Sequence, residues 1–404
     1  LLFIFFAFTI HGETIMKWSE WKSESAGLVS RVEAVDLFRF FVLFFMIQGH
    51  LFRAYLLPSI RAEQWFKLHE VLHGFVAPGF LFAAGFSAFL SFHNKRQNYI
   101  HLGGAFFKRL CRILFVIVIG YWIHLPFFSL RKTLQAVCLG TPQGADFLSV
   151  NILQCIGIGL LLFTLLAVLL KNEKVVVLVA ALIGALFFLL AGKMQAVYLH
   201  PALDPFLNYN PIFRSPDGAR TIASFFPVFP WVGYLCIGIV TAFTYACLKK
   251  EVFFRLLLAL GVLFFPWFFF QSSQAYFKAE LTLSGNLNKT GAIFLLLCFS
   301  GWLWQRCGGS FLDLLKKAGT ESLFVYVLHL FVIFNSFFRR GLLPLFANRL
   351  NVAQALLLFL ALQLAVFALS LAYNQIKENK PLLWRWGFTI FWAGFLLLFL
   401  LRPN

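Results

Sequence analysis

Long apolar runs alternate with short clusters of charge along nearly the whole chain. The runs fall at 36–57, 75–92, 109–128, 148–170, 174–192, 221–247, 252–270, 290–305, 321–338, 353–374 and 384–402. Most approach the roughly 20 residues with which an α-helix crosses the hydrocarbon core of a bilayer. In lipid, backbone polar groups must be satisfied inside the spanning segment, so runs of this kind are helices and not open strands. The pattern predicts an all-α fold: a polytopic integral membrane helical bundle of about 11 transmembrane helices. Residues 31–404 are read as one transmembrane domain, preceded by an N-terminal segment, 1–30. Within that segment Leu1–Ile10 is apolar but too short to span, and Met16 opens a more ordinary polar stretch. Residues 1–15 are therefore expected to lie outside the fold, as upstream translation or the remnant of a signal segment.

The loops orient the bundle. One alternate set of loops holds 19 Lys and Arg and the other 14, and the densest cluster runs from Lys95 to Arg112. Positive residues accumulate on the cytoplasmic side. This predicts a cytoplasmic N-terminus, an extracytoplasmic C-terminus and residence in a bacterial inner membrane.

Composition agrees with a lipid solvent. Hydrophobic residues make up 61% of the chain and charged residues 12%, whereas a soluble domain carries about a quarter charged. The net charge of +18 would point to nucleic acid in a soluble protein. Here the basic residues sit in interhelical loops beside lipid headgroups, so membrane lipid is the expected partner and nucleic acid is not. The seven cysteines have no metal-ligand spacing and form no evident disulfide framework. A homodimer is left open.

Against this apolar background, the first helix stands out. It begins Arg31-Val-Glu-Ala-Val-Asp36-Leu-Phe-Arg39 and ends Gln48-Gly49-His50. At about 100° per residue, the stretch from Arg39 to His50 returns to nearly the same face over a rise of about 16 Å. Asp36, Arg39, Leu43, Met46 and His50 form one stripe, with a cation toward the inner half and a titratable base toward the outer. Ionisable groups at such depth usually face a cavity. An activated donor lying along the stripe would have its anionic end at Arg39 and its reactive carbon at His50. The plainer alternative has Asp36 capping the helix while Arg39 and His50 snorkel to opposite interfaces.

Further motifs bear on that choice. They are Pro78-Gly-Phe80-Leu-Phe-Ala-Ala-Gly85-Phe-Ser87, Leu153-Gln154-Cys-Ile-Gly157, Phe229-Pro230-Trp231-Val-Gly233-Tyr234 with Gly238, and Gly319-Thr-Glu-Ser322 with Tyr326 and His329. In order and spacing, together with Arg31, Asp36, Arg39 and His50, they resemble the transmembrane acyltransferase superfamily. Its members include the heparan-alpha-glucosaminide N-acetyltransferase-like and acyltransferase-3 proteins. The resemblance implies transfer of an acyl group, acetyl foremost, from cytoplasmic acyl-CoA to a sugar amine or hydroxyl across the membrane. Acyl-CoA (acetyl-CoA) is then the donor, a glycan or sugar the acceptor, and no metal is expected. By the same resemblance His50 matches the essential histidine of one branch, and Asp36 and Arg39 match its first-helix charges. In the other branch the active histidine lies in the following loop, which brings in His69 and His73. Phe40 departs from the family, which has Gly after the Arg, and puts a close helix contact there in question.

The chemistry suits a histidine, because attack on a thioester needs a base or nucleophile active near neutral pH. No Gly-x-Ser-x-Gly elbow offers a serine instead. Ser322, Tyr326 and His329 share a helix face at i, i+4 and i+7, where His329 either orients the acceptor or makes an interhelical hydrogen bond. Pro227 and Pro230 stand near the start of another helix, where free backbone N–H groups would bind an anion or oxyanion or where the prolines simply kink the helix. Two rival functions remain. His69-Glu70-Val-Leu-His73 is a literal His-Glu-x-x-His, the pattern of a zinc metalloprotease, with Asp204 as the third ligand. Charged helices lining a cavity also describe a membrane transporter.

Overall fold

A computed structural model of the chain describes residues 31–194, 204–207, 224–265, 282–334 and 341–402. These residues are almost entirely helical. The principal helices are α1 (Glu33–Tyr55), α2 (Gln64–His73), α3 (Val76–Asn94), α4 (Gly104–Ile123), α5 (Ile152–Leu170), α6 (Glu173–Met194) and α7 (Val228–Cys247). After them come α8 (Lys250–Phe264), α9 (Leu283–Cys307), α10 (Ser310–Thr320), α11 (Ser322–Ile333), α12 (Val352–Asn379) and α13 (Pro381–Leu401). An isolated bridge pairs Leu56 with Leu350.

The polytopic helical membrane fold is thus as the hydropathy pattern predicts. Among the described residues each of the eleven apolar runs overlaps a helix, and eight helices are long and apolar enough to cross a membrane. Those eight spans fall on α1, α3, α5, α6, α7, α9, α12 and α13. The other three fall short for visible reasons. The first half of α4 carries Lys108, Arg109 and Arg112, α8 has 15 residues and α11 has 12.

Contacts divide the chain into two compact units, and α3 runs from one into the other. One unit comprises Ala84–Leu248 and Leu382–Asn404. In it the Phe188 and Tyr234 rings join α6 to α7 at 4.8 Å between centroids. Trp122 of α4 meets Trp392 of α13 at 5.1 Å. Arg109 donates to Thr164 of α5 at 3.2 Å, and the His93 ring meets the Glu173 carboxylate at 2.8 Å. Helix geometry in α7 is interrupted at Phe229 (φ −97°, ψ 126°), beside a cis Phe229–Pro230 peptide. That is the kink which Pro227 and Pro230 foretold.

The other unit comprises Val32–Ala83 and Lys249–Pro381 and is built around α1. Its helix-forming logic is legible in the termini: Glu33 and Asp36 lie in the first turn and Arg53 in the last, each sign matching the macrodipole end it occupies. Asn351 and Gln354 form a reciprocal capping box at the start of α12. Leu37 and Phe40 of α1 pack with Leu312, Leu315 and Ala318 of α10, and Phe41, Leu303, Trp304 and Phe367 close over that cluster.

Candidate functional site

The residues singled out on the first helix, its following loop and α11 all belong to the unit built around α1. Asp36 is buried at 2% exposure. Its carboxylate receives the Arg39 guanidinium at 2.9 Å, and Arg39 also donates to the Ala83 carbonyl at 3.3 Å. The N-cap residue is Val32, so Asp36 stands inside the first turn as the partner of Arg39. A cation held between a carboxylate and a backbone carbonyl is not snorkelling away from the protein. The Arg39 side chain nevertheless keeps 20% exposure.

The close helix contact questioned at Phe40 is made from the opposite side. Gly319 of α10 lies so near α1 that a Cβ there would run into the Asp36 carbonyl oxygen and come within 3.1 Å of the Phe40 nitrogen. Phe40 can therefore be large: its ring turns to Leu312, Leu315 and Phe367, meeting the last edge-on at 6.1 Å. The Gly319 motif and the Asp36–Arg39 motif are two halves of one helix contact.

At the other end of α1, His50 meets His329. Nδ1 of His50 is 3.2 Å from Nε2 of His329, and the Nδ1 of His329 is 3.0 Å from the Val325 carbonyl one turn earlier on α11. His329 is fully buried, whereas His50 is partly exposed. Tyr326 lies edge-on to His329 at 5.5 Å, and Phe334 flanks His50 at the same centroid distance. Beside them, Tyr55 donates its hydroxyl to the Ile333 carbonyl at 2.8 Å.

A second histidine pair meets α1 at Gln48. His69 and His73 occupy adjacent turns of α2 with ring centroids 4.5 Å apart. Both point Nε2 at the Gln48 amide oxygen, His69 at 2.9 Å and His73 more closely. An amide oxygen only accepts, so both rings carry their proton on Nε2 there. Gly49 provides the room, since a Cβ at that position would lie 2.6 Å from His73 Cε1. Burial, aided by the charges of His69 and Arg53, pushes the His73 pKa down to about 3. Burial would raise the Glu70 carboxyl, but the neighbouring His69 and the Arg53 charge outweigh that and hold it below the usual value. Arg53 reaches Glu70 at 2.6 Å.

The residues of the His-Glu-x-x-His sequence have other partners in this arrangement. The two Nε2 atoms are committed to Gln48 and the glutamate to Arg53. Among the described residues no group of three His, Cys, Asp or Glu side chains is placed to hold a metal. The Asp204 side chain lies outside the described residues. Gln48 is the residue that sequence reasoning passed over. Its signal was present, because an amide inside an apolar span needs partners, but nothing in the sequence said which.

With this geometry in view, the comparison with family models is direct. The model described as heparan-alpha-glucosaminide N-acetyltransferase, catalytic, matches residues 31–275. The chain belongs to this family. The match takes in α1, α2 and the motifs through α7, including Asp36, Arg39, Gln48, His50, His69 and His73, and ends before Gly319 and His329. No curated protein matches the chain. As a heparan-alpha-glucosaminide N-acetyltransferase-type catalytic chain, it is a multi-pass membrane acetyltransferase of the class that acts on sugars.

Proposed function

We propose that this protein moves an acetyl group from cytoplasmic acyl-CoA to an amine or hydroxyl of a sugar or glycan on the extracytoplasmic side, with His50 as general base or transient acyl carrier. The carrying observation is the pairing of His50 with His329, eleven residues along α1 from the Asp36–Arg39 pair. Ionisable groups inside a span are costly and are kept where they act. As a base, His50 takes the acceptor's proton while the acceptor nitrogen or oxygen bonds to the acetyl carbonyl carbon. The carbon–sulfur bond then breaks, and the coenzyme A sulfur leaves with the proton that His50 returns. Arg39, held by Asp36 yet 20% exposed, places its positive charge within reach of an anionic group of the donor. The excess of Lys and Arg in the alternate set of loops that includes Lys95–Arg112 supports an N-terminus in the cytoplasm.

Purified protein in micelles or liposomes, given acetyl-CoA and amino-sugar acceptors, tests this reading. His50→Ala is expected to abolish coenzyme A release while acetyl-CoA still binds. Arg39→Ala should weaken donor binding by about 2 kcal/mol or more, as for removal of one partner of a hydrogen-bonded charge pair. If His50→Ala keeps normal transfer while His69→Ala or His73→Ala loses it, the base is in the α2 pair and the assignment to His50 is wrong. Uptake of the sugar without acetylation would favour a transporter.

A further inference from the structure

His329 lies beyond the residues that the family match covers, and its surroundings fix more than its position. Its Nδ1 faces the Val325 carbonyl at 3.0 Å. A carbonyl oxygen only accepts, so the proton of this ring is on Nδ1. Charge is costly at a fully buried position inside a bundle, and the ring is neutral with its lone pair on Nε2. That lone pair faces His50 Nδ1 at 3.2 Å. Two lone pairs do not hydrogen-bond, so His50 must bring the proton, and it carries it on Nδ1.

The consequence passes to the other side of the His50 ring. With Nδ1 protonated, Nε2 holds the lone pair, on a residue that is partly exposed while its partner is fully buried. Building on the assignment of His50 above, we infer that His329 is a positioning residue. It locks His50 in the Nδ1–H tautomer and so makes Nε2 the atom that takes the acceptor's proton or carries the acyl group. The chain of command runs from the α11 backbone: Val325 carbonyl to His329 Nδ1–H, His329 Nε2 to His50 Nδ1–H, and His50 Nε2 to the reacting group. Its physical basis is the two-nitrogen imidazole, in which the bond made by one nitrogen decides the state of the other.

Nitrogen-15 NMR of ring-labelled histidines in micelles reads the tautomer directly, with the His50 signals assigned by their loss in His50→Ala. In the unmodified protein the expected pattern is a protonated Nδ1 and an unprotonated Nε2 on His50. His329→Leu removes the acceptor, and the two His50 nitrogens should then average between tautomers. Turnover should fall about 100-fold or more, the scale of a lost acid–base function, with KM for acetyl-CoA within about twofold. His329→Gln restores an acceptor oxygen near the former Nε2 and should recover most of both signals. A His50 proton on Nε2 in the unmodified protein overturns the inference, as does His329→Leu with an unchanged tautomer and unchanged kcat. If His50→Ala remains active, the catalytic assignment fails, while the tautomer measurement still decides whether His329 sets the ring.

Discussion

Replacing Gly319 with Ala tests the helix contact on which the Asp36–Arg39 pair is built. The added Cβ would overlap the Asp36 carbonyl oxygen, with the Asp36 carbonyl carbon and the Phe40 nitrogen each 3.1 Å away. All three atoms are α1 backbone, so no side chain can rotate aside. Relief requires α10 to move away from α1 and to loosen the cluster of Leu37, Phe40, Leu312, Leu315 and Ala318. Overpacking of this kind costs about 1 to 3 kcal/mol, and an unyielding backbone places it toward the upper end. Against that, Gly→Ala inside a helix gains about 0.5 to 1 kcal/mol from backbone entropy. The expected net is a loss of about 1 to 2 kcal/mol. Gly394→Ala in α13 isolates the entropic part, since a Cβ there meets nothing within 4 Å. It should be neutral or stabilising by up to about 1 kcal/mol. The assay is equilibrium unfolding in mixed micelles, following helix content as denaturing detergent is increased. Opposite signs for the two variants are the prediction. A Gly319→Ala protein as stable as the parent would show that α10 does not press on α1 as described, and the account of Phe40 would fail with it.

Tyr55→Phe removes the hydroxyl that reaches the Ile333 carbonyl at 2.8 Å from a fully buried ring, and should lower stability by about 1 kcal/mol; an unchanged unfolding midpoint would count against that bond. His73 should make the protein acid-sensitive: its folded pKa is depressed to about 3, so between about pH 6.5 and that value the unfolded state binds a proton that the folded state does not. Stability should be full above about pH 6.5 and fall by up to about 1.4 kcal/mol per pH unit below it, and His73→Gln should flatten the profile measured by thermal unfolding. Gly49→Ala places a Cβ 2.6 Å from His73 Cε1 and should displace that imidazole from Gln48 at a cost of about 1 kcal/mol; an unmoved His73 ring resonance by NMR would refute the contact.

Hydropathy alone settled the solvent and therefore the fold class. Once most of a chain is apolar in runs of spanning length, backbone hydrogen bonding leaves helices as the answer, and among the described residues each run identified that way overlaps a helix. Helical periodicity also put Asp36, Arg39 and His50 on one face, because angle and rise along a single helix follow from residue count alone. The family's motifs were likewise readable, being fixed residues at fixed spacings. The limits of that reading are equally physical. Membrane crossing depends on the length and charge of each helix, and among the described residues α4, α8 and α11 do not meet the measure that their hydropathy implied. Partnerships between helices depend on which faces pack, and residue spacing carries no information about that. Only the tertiary structure brought His329 to His50 across 279 positions of sequence, turned His69 and His73 onto Gln48, gave Glu70 to Arg53, and set Gly319 against the backbone of Asp36. A side chain's chemistry is fixed by its type, but which of its atoms is available is fixed by its neighbours, and neighbours are a property of the folded chain.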